Sequence, residues 1–219
     1  MLLRSGLLLC LFALLNVAHA NSTLTFKITD QNGNALSNAV VSIKPTNPRH
    51  LPTPAHQPTA EMVQQNRSFV PYVLPVQVNT PVVFPNKDDF QHHVYSFSPT
   101  KRFELKLFSG DNAAPIIFDK KGIVALGCNI HDWMMSYIVV IDTPYFQKTS
   151  FDGTASFNVP ADTYWVDVWH PQITHTMKQS VILKPNASTQ MPISLYLNRT
   201  GKPEVPDEED PFNFDYSPF

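Results

Sequence analysis

The chain is poor in cysteine, in basic surface and in long apolar runs, and each shortage removes a class of explanation. It has two cysteines in 219 residues. One of them, Cys10, falls in an N-terminal stretch with the marks of an export signal. Arg4 gives a positive start, an apolar run covers Leu7 to Leu15, and Ala18-His19-Ala20 puts small residues at the two positions a signal peptidase reads. Cleavage after Ala20 is expected, with residues 1–20 removed and the mature protein in the periplasm. Cys128 is then alone, which excludes an internal disulfide. A lone thiol in an oxidising compartment calls for pairing with another molecule, burial or a metal. The apolar run is too short to span a bilayer comfortably, so no membrane span is expected in the mature form. The formal net charge is −2. The net negative charge comes from the stretch beyond Gly201, where Lys202 stands against Glu204, Asp207, Glu208, Glu209, Asp210 and Asp215. The body left by subtraction is close to neutral, about +2, with no basic field suited to nucleic acid.

Long helical patterns are missing as well. Twenty prolines and repeated Asn/Asp/Gly clusters leave little room for them. What is present reads as all-β. Leu24, Phe26 and Ile28 alternate with Thr25, Lys27 and Thr29, the pattern of a strand with one buried face. Asn32-Gly33 marks a turn, and Ala39 to Ile43 reads as a second strand. From Pro45 to Pro58 five prolines fall in fourteen residues, which predicts an extended linker over 46–59 with His50 and His56 as solvated loop residues. Short strand-like runs follow at Val73–Val78, Pro81–Phe84, His93–Phe97, Phe103–Phe108, Ile116–Phe118, Ile123–Leu126 and Tyr137–Ile141. This number of strands suits a Greek-key sandwich. A third block runs from Thr149 to Leu197, with a turn at Asp152-Gly153, an alternating strand at Tyr164, Val166 and Val168, and further strands at Val181–Leu183 and Ile193–Leu197. The acidic, proline-rich stretch 198–219 reads as a disordered tail.

The chemistry is concentrated at Cys128-Asn129-Ile130-His131-Asp132-Trp133-Met134. This run puts a thiolate, an imidazole and a thioether on one short loop after the strand ending at Leu126. Copper that cycles between Cu(I) and Cu(II) needs donors tolerable to both ions, and a His₂Cys trigonal set with a weak axial Met is the known compromise. Such a set needs one more histidine from elsewhere. His92-His93 opens a strand soon after the strand ending at Phe84, and in a Greek-key sandwich such a strand start can meet a distant strand end at one pole. A buried thiol that packs as a small hydrophobe is the plain alternative for Cys128.

These motifs resemble the cupredoxin family of plastocyanin and amicyanin. Val82-Val83-Phe84-Pro85-Asn86-Lys87-Asp88 with His92-His93-Val94 is similar to the family's first-ligand stretch, and Cys128, His131 and Met134 match its C-x-x-H-x-x-M loop. Phe69-Val70-Pro71 and Leu74 to Val78 are similar to its lead-in. The resemblance covers about residues 60–142 and extends to periplasmic proteins labelled methylamine-utilisation or plastocyanin-like. It implies one copper ion, Cu(I)/Cu(II), held by His92, Cys128, His131 and Met134, with His93 and Met135 as rivals one residue away. Phe90, Trp133 and Met135 are the expected apolar rim around His131. Two departures stand out: His93 replaces an Asn that ties the family's ligand loops together, and Ser136 replaces a Gly.

Residues 21–45 and 146–197 resemble a second small β-sandwich of the carboxypeptidase-regulatory or transthyretin-like kind. The likeness rests on Thr29-Asp30, Gly33, Ala39-Val40-Val41, Phe151-Asp152-Gly153 and Val159-Pro160-Ala161, with Asp162 in place of a usual Gly. The cupredoxin stretch is then inserted into it. Such modules in some cases bind carbohydrate, which marks Trp165 and Trp169 as candidates for carbohydrate or protein contact. His170 and His175 read as structural or surface residues. The expected function is type 1 copper binding with one-electron transfer to a redox protein partner, and the alternative is a copper-handling or accessory role. An enzyme is not expected, because His50, His56, His93, His170 and His175 form no H-x-H arrangement for a further copper site.

Overall fold

The computed structural model describes residues 21–52, 57–110 and 114–198. The export-signal expectation, nearly all of the tail and His56 lie outside the described residues. The strands are β1 (Asn21–Asp30), β2 (Val40–Pro45), β3 (Ala60–Glu61), β4 (Val63–Gln65), β5 (Ser68–Val70), β6 (Val73–Gln77), β7 (Thr80–Val83), β8 (His92–Ser96), β9 (Phe103–Phe108), β10 (Ile116–Phe118), β11 (Gly122–Cys128), β12 (Met135–Ile141), β13 (Phe146–Lys148), β14 (Thr154–Pro160), β15 (Asp162–Trp169), β16 (Met177–Leu183) and β17 (Ser188–Leu195). The protein is all-β, and the one helical element among the described residues is a 3₁₀ turn at Pro48–His50.

Two sandwiches follow from the strand order. In the first, the sheet β6-β12-β11-β8-β9 faces the sheet β10-β7-β3, and the chain passes between them from β6 to β7, β7 to β8, β9 to β10 and β10 to β11. Their shared core includes Val82, Phe84, Val94, Phe118, Val124, Leu126 and Ile138. In the second, β14-β1-β17 faces β13-β2-β15-β16 around Leu24, Phe26, Ile28, Val41, Tyr164, Val166 and Ile193. Alternation explains both. Ser22, Leu24, Phe26 and Ile28 point inward from β1 while the residues between them face out or lie at the margin.

A third cluster joins the two. Val73, Val139 and Ile141 leave the outer face of the five-stranded sheet and meet Val40 and Trp169. β12 is therefore buried on both faces from Val139 to Ile141, which accounts for its unbroken apolar run.

The described start of the proline-rich segment, 46–52, is folded onto the second sandwich rather than extended. Asn47 caps the 3₁₀ turn by accepting from the Arg49 N–H. His50, expected to be solvated, is 16% exposed at its side chain and places Nδ1 2.9 Å from Asp162 Oδ2. Proline content had pointed to an extended linker; a carboxylate across the fold gives Thr46, Asn47 and His50 somewhere to attach instead.

Candidate metal centre

The pole of the first sandwich is built by three stretches. The first runs from Val82 to Asp88. Val82 and Phe84 are buried in the core, and the pleat then brings Asn86 inward. Asn86 is 5% exposed and pins its loop: Nδ2 donates to the Phe90 and Phe108 carbonyls at 2.8 and 3.0 Å, while Oδ1 accepts from the Asp88 N–H at 3.0 Å.

The second stretch is the start of β8, where His92 and Val94 face the core and His93 faces out. The third is the end of β11, which runs two residues further than its apolar pattern predicted and carries Cys128 into the ladder opposite Val94. The Cys128 N–H donates to the Met134 carbonyl at 3.2 Å and the Met134 N–H to the His131 carbonyl at 3.0 Å, so the loop is closed by its own backbone.

Three donor side chains meet there. Cys128 Sγ lies 3.6 Å from His92 Nδ1 and 4.0 Å from His131 Nδ1, and the three ligand atoms all fall within 4.8 Å of one another. A central ion with bonds of about 2.0–2.3 Å to imidazole nitrogen and thiolate sulfur, set about 120° apart, requires donors roughly 3.5–3.8 Å apart. The Cys128–His92 separation meets this and the Cys128–His131 separation is slightly wider, so the donor set suits a trigonal His₂Cys site. Met134 is 2% exposed, packs in the same core cluster and follows His131 on the loop.

The two rivals stand on the other face. His93 turns outward and places Nε2 2.8 Å from Glu104 Oε1. Met135 is the cross-strand partner of Gly127, so the pleat sends its side chain away from the Cys128 thiol. The departures from the family pattern also have structural partners. The Asn129 N–H donates to the His93 carbonyl at 3.1 Å, a backbone tie between the two ligand stretches. The Ser136 hydroxyl donates to the Tyr72 carbonyl at 2.9 Å, anchoring the segment before β6.

Electrostatics favour a thiolate. Burial opposes the charged form of Cys128, but its contact with the His92 ring and backbone hydrogen bonds at Ile130, His93 and His131 outweigh this and hold the thiol below its ordinary value. For His92, burial opposes protonation while Cys128 and Asp88 favour it, and the balance lies above the ordinary value. His131 lies below it through burial and the His92 and Arg67 charges.

No family model and no curated protein matches the chain. Solved structures do. A copper-containing nitrite reductase from Thermus scotoductus SA-01 is similar over 45% of this chain and 25% of its own, with 24% identity and a TM-score of 0.37. The chain thus spans a quarter of that protein's length. A purple cupredoxin from Nitrosopumilus maritimus is similar over 37% of this chain and 99% of its own, at 19% identity and a TM-score of 0.34. A Cu(I) amicyanin variant is similar over 38% and 82%, at 19% identity and a TM-score of 0.35. Likenesses this distant carry no weight for function.

Around the pole, Phe90 and Trp133 pack on His131 with ring centroids 5.5 and 5.2 Å away, and Phe90 also meets His92 at 5.0 Å. Met135 lies outside this group, on the face it shares with Gly127. Two residues with clear work at the pole were not singled out by the sequence. Asn86 and Asp88 stand in the motif preceding His92, but a motif does not say which side chain pins a loop and which reaches a ligand. Of the two tryptophans marked for outside contact, Trp165 is 60% exposed, whereas Trp169 is 8% exposed and closes the seam between sandwiches.

Proposed function

We propose that the chain holds one copper ion between His92, Cys128 and His131, with Met134 as a weak axial donor, and serves as a one-electron carrier in the periplasm. The observation that supports this best is the convergence of two imidazole nitrogens and one thiol inside a buried, backbone-closed pole. Copper would supply a centre that alternates between Cu(I) and Cu(II). The protein's own residues supply the rest. His92 is fully buried and Cys128 is 2% exposed, on the neighbouring strands β8 and β11 of one sheet, so their donor atoms stay in place when charge changes and water is kept out. His131 is only partly buried, and its ring edge is flanked by Phe90 and Trp133 with Ile130 48% exposed beside it. An apolar collar around a half-open ligand suits the docking of a redox protein.

The reading is of a carrier rather than an enzyme. Export through residues 1–20 belongs to it, as does a cupredoxin unit at 60–142 inserted into a sandwich formed by 21–45 and 146–197. Trp165 on the second sandwich is the proposed outside contact. The test is a visible spectrum of the mature protein purified with copper, beside Cys128→Ser. An intense thiolate-to-copper band that bleaches reversibly on reduction, and is absent from the variant, is expected. No band and no copper retention in the unmutated protein overturns the proposal, and colourless Cu(I) binding with fast release to a chelator replaces it with copper handling.

A further inference from the structure

The ring of His92 has a second partner at the pole. Its Nε2 lies 2.7 Å from Asp88 Oδ2, and the Asp88 side chain is 8% exposed. In a neutral imidazole, the form that binds a metal, the nitrogen that faces a carboxylate at this distance carries the proton, which leaves the lone pair on the other nitrogen. That other nitrogen, Nδ1, is the one 3.6 Å from Cys128 Sγ. The carboxylate therefore fixes both the tautomer and the direction of the ring.

Asp88 is itself held with care. Its Oδ1 accepts the Asn66 N–H at 2.6 Å and its Oδ2 accepts the Arg67 N–H at 3.1 Å. Both residues are in the left-handed region, at φ of 53° and 52°, and neither is glycine. This turn between β4 and β5 aims two successive backbone donors at one carboxylate. The Arg67 guanidinium does not neutralise it, because that group lies over the Phe90 ring, 5.7 Å from its centroid. Among the described residues the only ion-pair partner of Asp88 is the His92 ring.

Resting on the copper reading above, we propose that Asp88 is a positioning residue for His92 and that its charge biases the bound ion toward Cu(II). A carboxylate hydrogen-bonded to a metal-bound imidazole raises the basicity of the ligand. An unneutralised anion in a buried site stabilises the more highly charged ion of a redox pair. The thiolate of Cys128 alone leaves a Cu(I) site neutral, whereas with Asp88 it is anionic, and loss of one electron relieves that excess.

The experiment compares copper-loaded wild-type protein with Asp88→Asn, which keeps the shape and removes the charge. Copper retention and a thiolate-to-copper band are expected in both. The reduction potential of the variant is expected to rise by a tenfold change in the Cu(II)/Cu(I) preference or more, 59 mV per tenfold for a one-electron couple. A second readout needs no variant: ¹⁵N spectra of the Cu(I) wild-type protein should show His92 protonated at Nε2 and metal-bound at Nδ1. An unchanged potential in a copper-bound variant, or His92 bound through Nε2, overturns the role of Asp88 while leaving the copper site intact. Wild-type protein that retains no copper overturns the copper reading instead.

Discussion

Asp162 accepts four hydrogen bonds while its side chain is only 9% exposed. They come from the Thr46 hydroxyl, the Asn47 N–H, the His50 ring and the Thr163 N–H. Burial opposes ionisation of this carboxyl, but the donors outweigh it and hold the group below its ordinary value. The residue that breaks the glycine pattern is thus the clasp of the proline-rich segment. A carboxyl depressed on folding adds stability that is complete above its unfolded value near 3.8 and is lost as pH falls through the folded value. Asp162→Ala is expected to lower stability by about 2 kcal/mol at neutral pH. Denaturant titrations should show the gap between the two proteins closing below about pH 4, with nothing gained on the alkaline side. At the pole, the outward turn of His93 gives a paired expectation. His92→Ala should abolish copper retention through gel filtration. His93→Ala should keep it and change stability by no more than about 1 kcal/mol, because the Glu104 partner is 52% exposed.

Turns decide where the elements start and stop, and Gly153 shows how tightly. It has φ of 77°, and a Cβ there would run into the Ile28 carbonyl. The Gly153 carbonyl accepts from the Ile28 N–H at 2.8 Å, so the turn before β14 is seated directly on β1. Gly153→Ala combines backbone strain with a clash and is expected to cost well over about 1 kcal/mol, read as a lowered unfolding midpoint with an unaltered copper band. Asp152-Gly153 was legible as a turn because its chemistry is local. So were β9 and β10, whose bounds match the apolar runs Phe103–Phe108 and Ile116–Phe118. β14 was not singled out, because small and polar residues between Ala155, Phe157 and Val159 dilute the alternation. The β4–β5 hairpin was not legible either. Its strands are three residues each, and its turn, Asn66-Arg67, carries no glycine because the stabilising acceptor is Asp88, 22 positions beyond Asn66. The same limit applies to the site. Cys128 and His131 share one loop and announce themselves, whereas the contact between Asp88 and His92 exists only once the loop pinned by Asn86 has folded.

At the scale of the molecule, β12 belongs to two cores at once. Ile138 and Val140 face the core of the first sandwich, which carries the candidate site, and Val139 and Ile141 face the seam with the second. Met134 and the ligand loop lead directly into it. Trp169 closes the seam from β15, with its ring 5.3 Å from Tyr137, which in turn meets Tyr72 at 5.8 Å. At the seam's edge Lys121 pairs with Asp142 at 2.8 Å and with Asp167 at 3.2 Å, and Lys44 reaches Asp142 at 2.9 Å. These pairs are half-open to solvent, so each is worth about 1 kcal/mol or less and the apolar cluster carries most of the coupling. Removing a buried tryptophan costs about 3–5 kcal/mol, enough to uncouple two units joined by this seam. Wild-type protein should lose its copper band and its tryptophan signal in one coincident transition, and excess copper should raise the midpoint of both, by about 2.7 kcal/mol at a hundredfold excess over the dissociation constant. In Trp169→Ala the transitions should separate, with copper raising only the one that reports the thiolate band. Coincident transitions in the variant would show that the sandwiches are held together by something other than this seam, and the candidate metal site would then owe nothing to it.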